Sequence, residues 1–318
     1  MKHLIEMAPI KGITDRTFRR SFSRHFGGVD SALAPFVRIS DSESKIKSLS
    51  PKLNPGIRTV PQILTRSADE FINIAERLIG YGCDEINWNL GCPFAMVVKK
   101  GEGAAMMQYP ELVESFLETV LHNISVPVSV KMRTGMNSSS DILKVIPVLN
   151  SFPVKEIIIH PRTGIQMYDG EVDLEAFGPA LRLSRHPVIY NGDLKSISDF
   201  NRLSVQYPSV KGWMIGRGLL QNPFLAMEIQ NGNEGPASGK FERVKQFVDY
   251  LLDAYIQDLQ SPAHVLDKMK SVWYYLSQSF PDSRKVEKRI RKAGSLNHYR
   301  DEVGRIFDLI NSSADSKQ

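Results

Sequence analysis

Cysteine is nearly missing from this chain: Cys83 and Cys92 are two residues among 318. That excludes a disulfide framework and leads to an expectation of a reducing, cytoplasmic setting. Nowhere do about 18 apolar residues run together, so a membrane-spanning helix is not expected. The first residues, Met1 to Glu6, reach a charge after a very short apolar pair and carry no signal-peptide core. A strong charge of one sign is also missing. The formal net charge is +5, which favours a polyanionic partner only slightly. No low-complexity tract interrupts the chain, and nothing in it points to an obligate protein partner. After the first expected strand Gly12 stands alone, without the glycine fingerprint of an open dinucleotide-binding sheet.

What the chain does have is a beat. Short β-rich runs alternate with helical patterns, the signature of βα units around a parallel sheet. Strands are expected at 4–8, 32–37, 60–64, 85–89, 127–131, 156–160, 187–191 and 212–215. Helices are expected at 15–26, capped by Thr14 or Asp15, and at 67–79, with Asp69 and Glu70 in the first turn. Further helices are expected from Pro110, at 141–150, at 196–207, and from near Pro223. Eight repeats over about 230 residues match an α/β fold closed as a (β/α)8 TIM barrel.

The beat stops at the turn-rich stretch 231–236. Beyond it Phe241, Val244, Phe247, Val248, Leu251, Leu252 and Tyr255 recur at helical spacing, as do Met269, Val272, Trp273 and Leu276. The expected organisation is therefore a barrel over 1–236 and a small C-terminal helical bundle over 237–318, with the polar tail 311–318 frayed.

In such barrels chemistry sits at the C-terminal ends of the strands. Here those ends carry Pro9-Ile10-Lys11, Arg38, Gln62, Asn89 with Cys92, Lys131 with Arg133, His160 with Arg162, Asn191-Gly192-Asp193, and Gly216-Arg217. Asn87 and Asn89 share one face of a strand that leads to a thiol pinned by Pro93. Buried amides need partners, and a ligand supplies them more readily than a core. The plainer reading makes Cys92 a small buried apolar residue, and His160 alone a hydrogen-bonded structural one. The glycines of the last two strand ends, with Arg217 between two of them, favour a phosphate. Gln62 and Lys131, an amide and an ammonium, suit the pyrimidine ring of a flavin. A Schiff-base lysine is the alternative, and it leaves Cys92 and the glycine loops unused.

Taken in order, Met7-Ala8-Pro9 with Gly12-Ile13-Thr14-Asp15, Asn89-Leu90-Gly91-Cys92-Pro93, Val130-Lys131-Met132-Arg133, His160-Pro161-Arg162-Thr163 and Ile215-Gly216-Arg217-Gly218 resemble the tRNA-dihydrouridine synthases. The resemblance spans the whole barrel; Pro161 stands where glycine is more usual. It implies an FMN enzyme that reduces a uridine of tRNA to 5,6-dihydrouridine, with NADPH or NADH, a nicotinamide dinucleotide, as reductant. It further implies that Pro9, Ile10, Lys11, Gln62, Lys131, His160, Asn191, Gly192, Asp193, Gly216 and Arg217 hold FMN. Hydride would pass from FMN N5 to uracil C6, and a proton from Cys92 to C5. A thiol of ordinary pKa, about 8.5, is mostly protonated at neutral pH and can donate.

Asn89 and Arg162 are expected at the uracil edge. A uridine must be extruded from folded RNA to enter a barrel mouth, so RNA contacts are expected in the helical tail. Residues 240–318 hold 14 Lys and Arg against 11 Asp and Glu. Tyr168 and Tyr275 are candidates to stack on bases. Phe36-Val37-Arg38, with Lys268, Lys270, Tyr275 and Arg291, resembles the bacterial C-type enzymes that act on uridine 16 (U16) of the D-loop. Two other readings remain: a flavin barrel acting on a free metabolite such as a dihydropyrimidine, and a non-catalytic RNA-binding module.

Overall fold

The computed structural model describes residues 2–236 and 238–315, with side chains through 310. Its strands are β1 Leu4–Met7, β2 Ser31–Leu33, β3 Arg58–Val60, β4 Gln62–Ile63, β5 Ile86–Leu90, β6 Val128–Gly135, β7 Ile157–Thr163, β8 Val188–Tyr190 and β9 Gly212–Ile215. They pair in the order β3-β2-β1-β9-β8-β7-β6-β5-β4, every pairing parallel. The two ends of that order, β3 and β4, are consecutive in the chain and separated only by Pro61. Proline has no N–H for the ladder and so breaks the strand there. A parallel bridge between Val37 and Ile63 spans the break, and the ring is a (β/α)8 barrel with one stave in two pieces.

Two expected strands change shape for this reason. The third begins at Arg58 and is split. The second ends at Leu33, with the Ala34 N–H still donating to the Val60 carbonyl at 2.9 Å; Pro35 then removes a donor, and bridging resumes at Val37. Strands β6 and β7 overrun their expected ends by several residues, with a register shift between Arg133 and Gly135. In place of one helix near Pro223 there are two, Arg217–Gln221 and Leu225–Asn231.

The caps follow the sequence. The Asp15 carboxylate accepts from Phe18 N at the start of Arg16–His25, and Ser67 accepts from Glu70 N before Ala68–Gly80. Ser196 and Asp199 form a reciprocal capping box at Ile197–Gln206. The barrel interior is filled by Ala8, Leu33, Val60, Ile158, Ile189 and Met214. A larger core lies between strands and helices, where Trp88 stacks on Phe116 at 3.9 Å.

Among the described residues four α-helices follow the barrel: Lys240–Asp258, Pro262–Leu276, Ser283–Lys292 and Leu296–Asp315. The last carries helical backbone into the tail expected to fray, and 316–318 lie outside the described residues. Phe247 packs among Phe18, Phe22 and Phe26 at 5.1–6.4 Å. The Tyr255 hydroxyl donates to Asp15 at 3.1 Å, and Lys268 Nζ reaches Asp15 and the Gly12 carbonyl, both at 2.7 Å. Lys268 therefore docks the helices on the first βα unit. No described helix is long and apolar enough to cross a membrane.

Candidate active site

A cavity of about 580 Å³ opens at the C-terminal ends of the strands. Its floor and walls include Pro9, Ile10, Lys11, Gln62, Asn89, Cys92, Lys131, Arg133, His160, Tyr168 and Arg217. Tyr274, Tyr275 and Gln278 of the C-terminal helices form its outer wall. A recess of about 90 Å³ adjoins it between the loops after β8 and β9, lined by Asn191, Gly192, Asp193, Lys195, Gly216 and Gly218. Lys131, His160, Tyr168 and Arg217 line both.

Cys92 is held from two sides. Asn89 Oδ1 accepts the N–H groups of Gly91 at 3.1 Å and Cys92 at 2.9 Å, an Asx turn that ends β5 and starts the thiol loop. Behind it runs a ladder of amides. Asn89 donates to Gln62 Oε1 at 2.7 Å, Gln62 to Asn87 Oδ1 at 2.7 Å, and Asn87 to Ser129 Oγ at 3.0 Å. Asn87 thus finds its partners on neighbouring strands, whereas the sequence pattern pointed to a ligand. On the other side Gly103, at φ +59°, presses on the Cys92 backbone. A Cβ there would stand 2.5 Å from the Cys92 carbonyl oxygen, which accepts from Ala104 N at 3.1 Å. Cys92 is 6% exposed, packed with Leu64, Val97 and Phe36. Burial raises its pKa above the ordinary thiol value, against the pull of the Phe94 backbone N–H and of Arg38, Lys11 and Arg133. It is a protonated thiol at neutral pH.

The arginine that reaches the cavity beside it is Arg133. Its Nε donates to the Gly91 carbonyl at 3.1 Å and its Nη1 to Thr163 O at 2.8 Å, with the guanidinium over the Tyr168 ring. Arg162, expected at the uracil edge, is 1% exposed and lines neither cavity. It donates to both Asp193 oxygens (3.2 and 2.5 Å) and to the Gly170 carbonyl at 2.6 Å. Asp193 also accepts from Arg217 at 2.7 Å, and holds a left-handed backbone at φ +27°. Burial alone would raise its carboxyl, but Arg162 and Arg217 outweigh burial and hold it below the usual range.

Between the two cavities stand Lys131 and His160. Burial, then Arg133, pushes the Lys131 ammonium down to about 7. Burial and the surrounding cations hold His160 well below its ordinary value, so the imidazole is neutral at pH 7. No ion-pair partner of Lys131 occurs among the described residues. Lys131 is half-buried where the two cavities meet, and a partly desolvated cation without a counter-charge there favours an anionic ligand.

The glycines make the recess. A Cβ on Gly192 would lie 2.9 Å from the Tyr190 hydroxyl, and one on Gly218 would lie 1.9 Å from the Leu194 carbonyl. Larger residues would fill the recess or force its two loops apart. A ring-sized cavity beside a cationic, glycine-walled recess fits a planar heterocycle that carries a phosphate.

A profile described as Dihydrouridine synthase (Dus) matches residues 6–310. The chain belongs to the dihydrouridine synthase family. Among its relatives, tRNA-dihydrouridine synthase B of Pasteurella multocida (strain Pm70) is 31% identical over 71% of this chain and 68% of its own length. The tRNA-dihydrouridine(16) synthase of Pseudomonas putida (strain KT2440) is 25% identical over 98% of this chain and 97% of its own. Morphinone reductase shares the barrel at 12% identity and TM-score 0.53, over 75% of this chain and 88% of its own. Histamine dehydrogenase from Rhizobium sp. 4-9 does so at 10% identity and TM-score 0.57, over 79% of this chain and 49% of its own. These two likenesses concern the fold.

In this dihydrouridine synthase fold the expected RNA contacts separate. Lys270, Tyr275 and Arg291 share a surface hollow of about 490 Å³ next to the main cavity. Arg291 also pairs with Glu287 at 3.3 Å. Lys268 is spent on Asp15, and Arg38 on Glu102 at 2.6 Å. Sequence reasoning passed over Tyr274, which is 59% exposed and borders both the cavity and the hollow. The doublet Tyr274-Tyr275 was the available signal, since one of two adjacent helical residues must face away from the core.

Proposed function

We propose that this protein reduces a uridine of tRNA to 5,6-dihydrouridine with FMN, and that Cys92 donates the proton. The observation that carries the proposal is the Cys92 thiol, buried in the wall of the 580 Å³ cavity that the half-buried, unpaired Lys131 also lines. Pro9, Ile10, Lys11, Gln62, Lys131 and His160 would surround the flavin ring. Asn191, Gly192, Asp193, Gly216 and Arg217 would surround its phosphate. Bound there and reduced by NADPH or NADH, FMN would supply the hydride for uracil C6.

Everything else falls to the chain. Lys131 offers a cation to negative charge on the flavin ring. Asn89 and Arg133 face the negative charge that develops on uracil as C6 is reduced. Cys92 protonates C5, and the raised pKa keeps the acid loaded across neutral pH. In this account Arg133 takes the place first expected for Arg162, which positions Asp193 and, through it, Arg217. Tyr168 would lie against a flipped base, and RNA contacts at Lys270, Tyr275 and Arg291 would offset the cost of extrusion, a few kcal/mol. Residues 1–236 then serve as the catalytic unit and 237–318 as the tRNA-holding unit.

Uridine 16 is the proposed target. The support is that the match to the Pseudomonas enzyme named for position 16 extends over 98% of the chain, C-terminal helices included. The test maps dihydrouridine in tRNA from cells with and without the gene. Loss at position 16 alone is expected; unchanged dihydrouridine at every position refutes the proposal. Purified protein turning over a free pyrimidine but not tRNA would favour the small-metabolite reading instead.

A further inference from the structure

The Arg38–Glu102 ion pair has no role in the account so far. Its two side chains are 22% and 9% exposed and lie 2.6 Å apart, a charge contact rather than an aligned hydrogen bond, joining the loop after β2 to the loop after β5 across 64 positions of sequence. Glu102 immediately precedes Gly103, the glycine whose close approach fixes the Cys92 carbonyl, and the Glu102 carbonyl accepts from Ala105 N at 3.3 Å. The Arg38 guanidinium also lies 5.7 Å from the centre of the Phe36 ring, and Phe36 packs on the Leu64–Cys92–Val97 cluster. Both ends of the pair therefore bear on the same cysteine, one against its backbone through the glycine turn and one against its side-chain cluster through an aromatic ring. Arg38 itself is held by its backbone, whose N–H donates to Asp41 at 2.8 Å.

We propose that Arg38 and Glu102 form a latch that closes the Gly101–Gly103 turn over Cys92 and keeps its thiol packed in the cavity wall. They are positioning residues, and Arg38 is reassigned from RNA contact to this task. Releasing the latch frees the turn to open locally and exposes the thiol to solvent. The inference rests on the reading of Cys92 as proton donor only for its effect on turnover. Its effect on thiol exposure is independent of that reading.

The test is the rate of Cys92 alkylation by iodoacetamide at pH 8, followed on the Cys92 peptide by mass spectrometry, with kcat and KM for tRNA measured beside it. Arg38→Ala and Glu102→Gln are expected to alkylate roughly ten-fold faster than wild type, the change that about 1.4 kcal/mol makes in an opening equilibrium. Both should lower kcat while leaving KM for tRNA nearly unchanged. Arg38→Lys and the exchanged pair Arg38→Glu with Glu102→Arg should restore slow alkylation. Should Arg38→Ala not fold, the near-isosteric Glu102→Gln carries the measurement. Wild-type alkylation in Glu102→Gln, or a rise in KM for tRNA alone in Arg38→Ala, overturns the latch. If wild-type protein does not reduce tRNA at all, the proton-donor reading fails, and the alkylation rates still decide the latch.

Discussion

Replacing Asp193 with asparagine tests the site where the electrostatics are most concentrated. One carboxylate there serves two guanidiniums, Arg162 at 1% exposure and Arg217 at 30%. Removing one partner of a buried ion pair costs about 3–5 kcal/mol, because the charge left behind is uncompensated. Asparagine keeps one acceptor oxygen, and Arg217 has water to fall back on, so the lower end, about 3 kcal/mol, is expected. The backbone does not confound the comparison, since asparagine is among the residues that tolerate the left-handed region.

With a urea m-value of about 3 kcal/mol/M the midpoint should fall by about 1 M at pH 7. The pH dependence has a definite sign. The folded carboxyl lies below its ordinary value, so its contribution is complete above pH ~4 and is lost as pH falls through the lower folded value. The gap between wild type and Asp193→Asn should therefore be widest at neutral pH and close on acidification. A midpoint shift under ~0.3 M at pH 7, or a gap that widens in acid, refutes this assignment of Asp193 as the counter-charge of Arg162.

Lys131→Met removes a cation whose folded pKa of about 7 lies far below its unfolded value. Between pH 7 and 10 the unfolded chain binds the extra proton, so cofactor-free wild type should gain stability as pH rises. Thermal melts of cofactor-free Lys131→Met should lose that rise, and titration with FMN should show weaker binding. Lys270→Ala and Arg291→Ala should each weaken tRNA binding and reduce the slope of log K against log salt by about 1. Lys268→Ala should instead lower the melting temperature, since its ammonium is committed to Asp15.

The caps and the strand beat were legible because each depends on neighbours a few residues apart; the recess was not, since it joins Leu194 and Gly218 from the loops after β8 and β9. Asp15, Ser67 and Ser196 begin helices where sequence places them. The breaks at Pro35 and Pro61 follow from missing N–H groups and were also within reach of sequence, but the hydrophobic runs across them read as continuous strands. The choice between Arg133 and Arg162 was not legible. It depends on how far β6 and β7 extend and on the register shift between Arg133 and Gly135, and these decide which arginine faces the cavity. Lys268 and Lys270 are two residues apart on one helix, and only the docking of that helix on Asp15 turns the first inward. The Arg38–Glu102 pair joins loops that no local pattern relates.

The central claim is that Cys92 protonates the substrate, and single-turnover reduction of unmodified tRNA by Cys92→Ala tests it most directly. Wild type and variant would be loaded with equal FMN, reduced beforehand, and sampled for dihydrouridine over time. FMN binding should be unchanged and the rate lower by about 10²–10⁴, the usual contribution of a positioned general acid. Dihydrouridine formed by Cys92→Ala at the wild-type rate would contradict it.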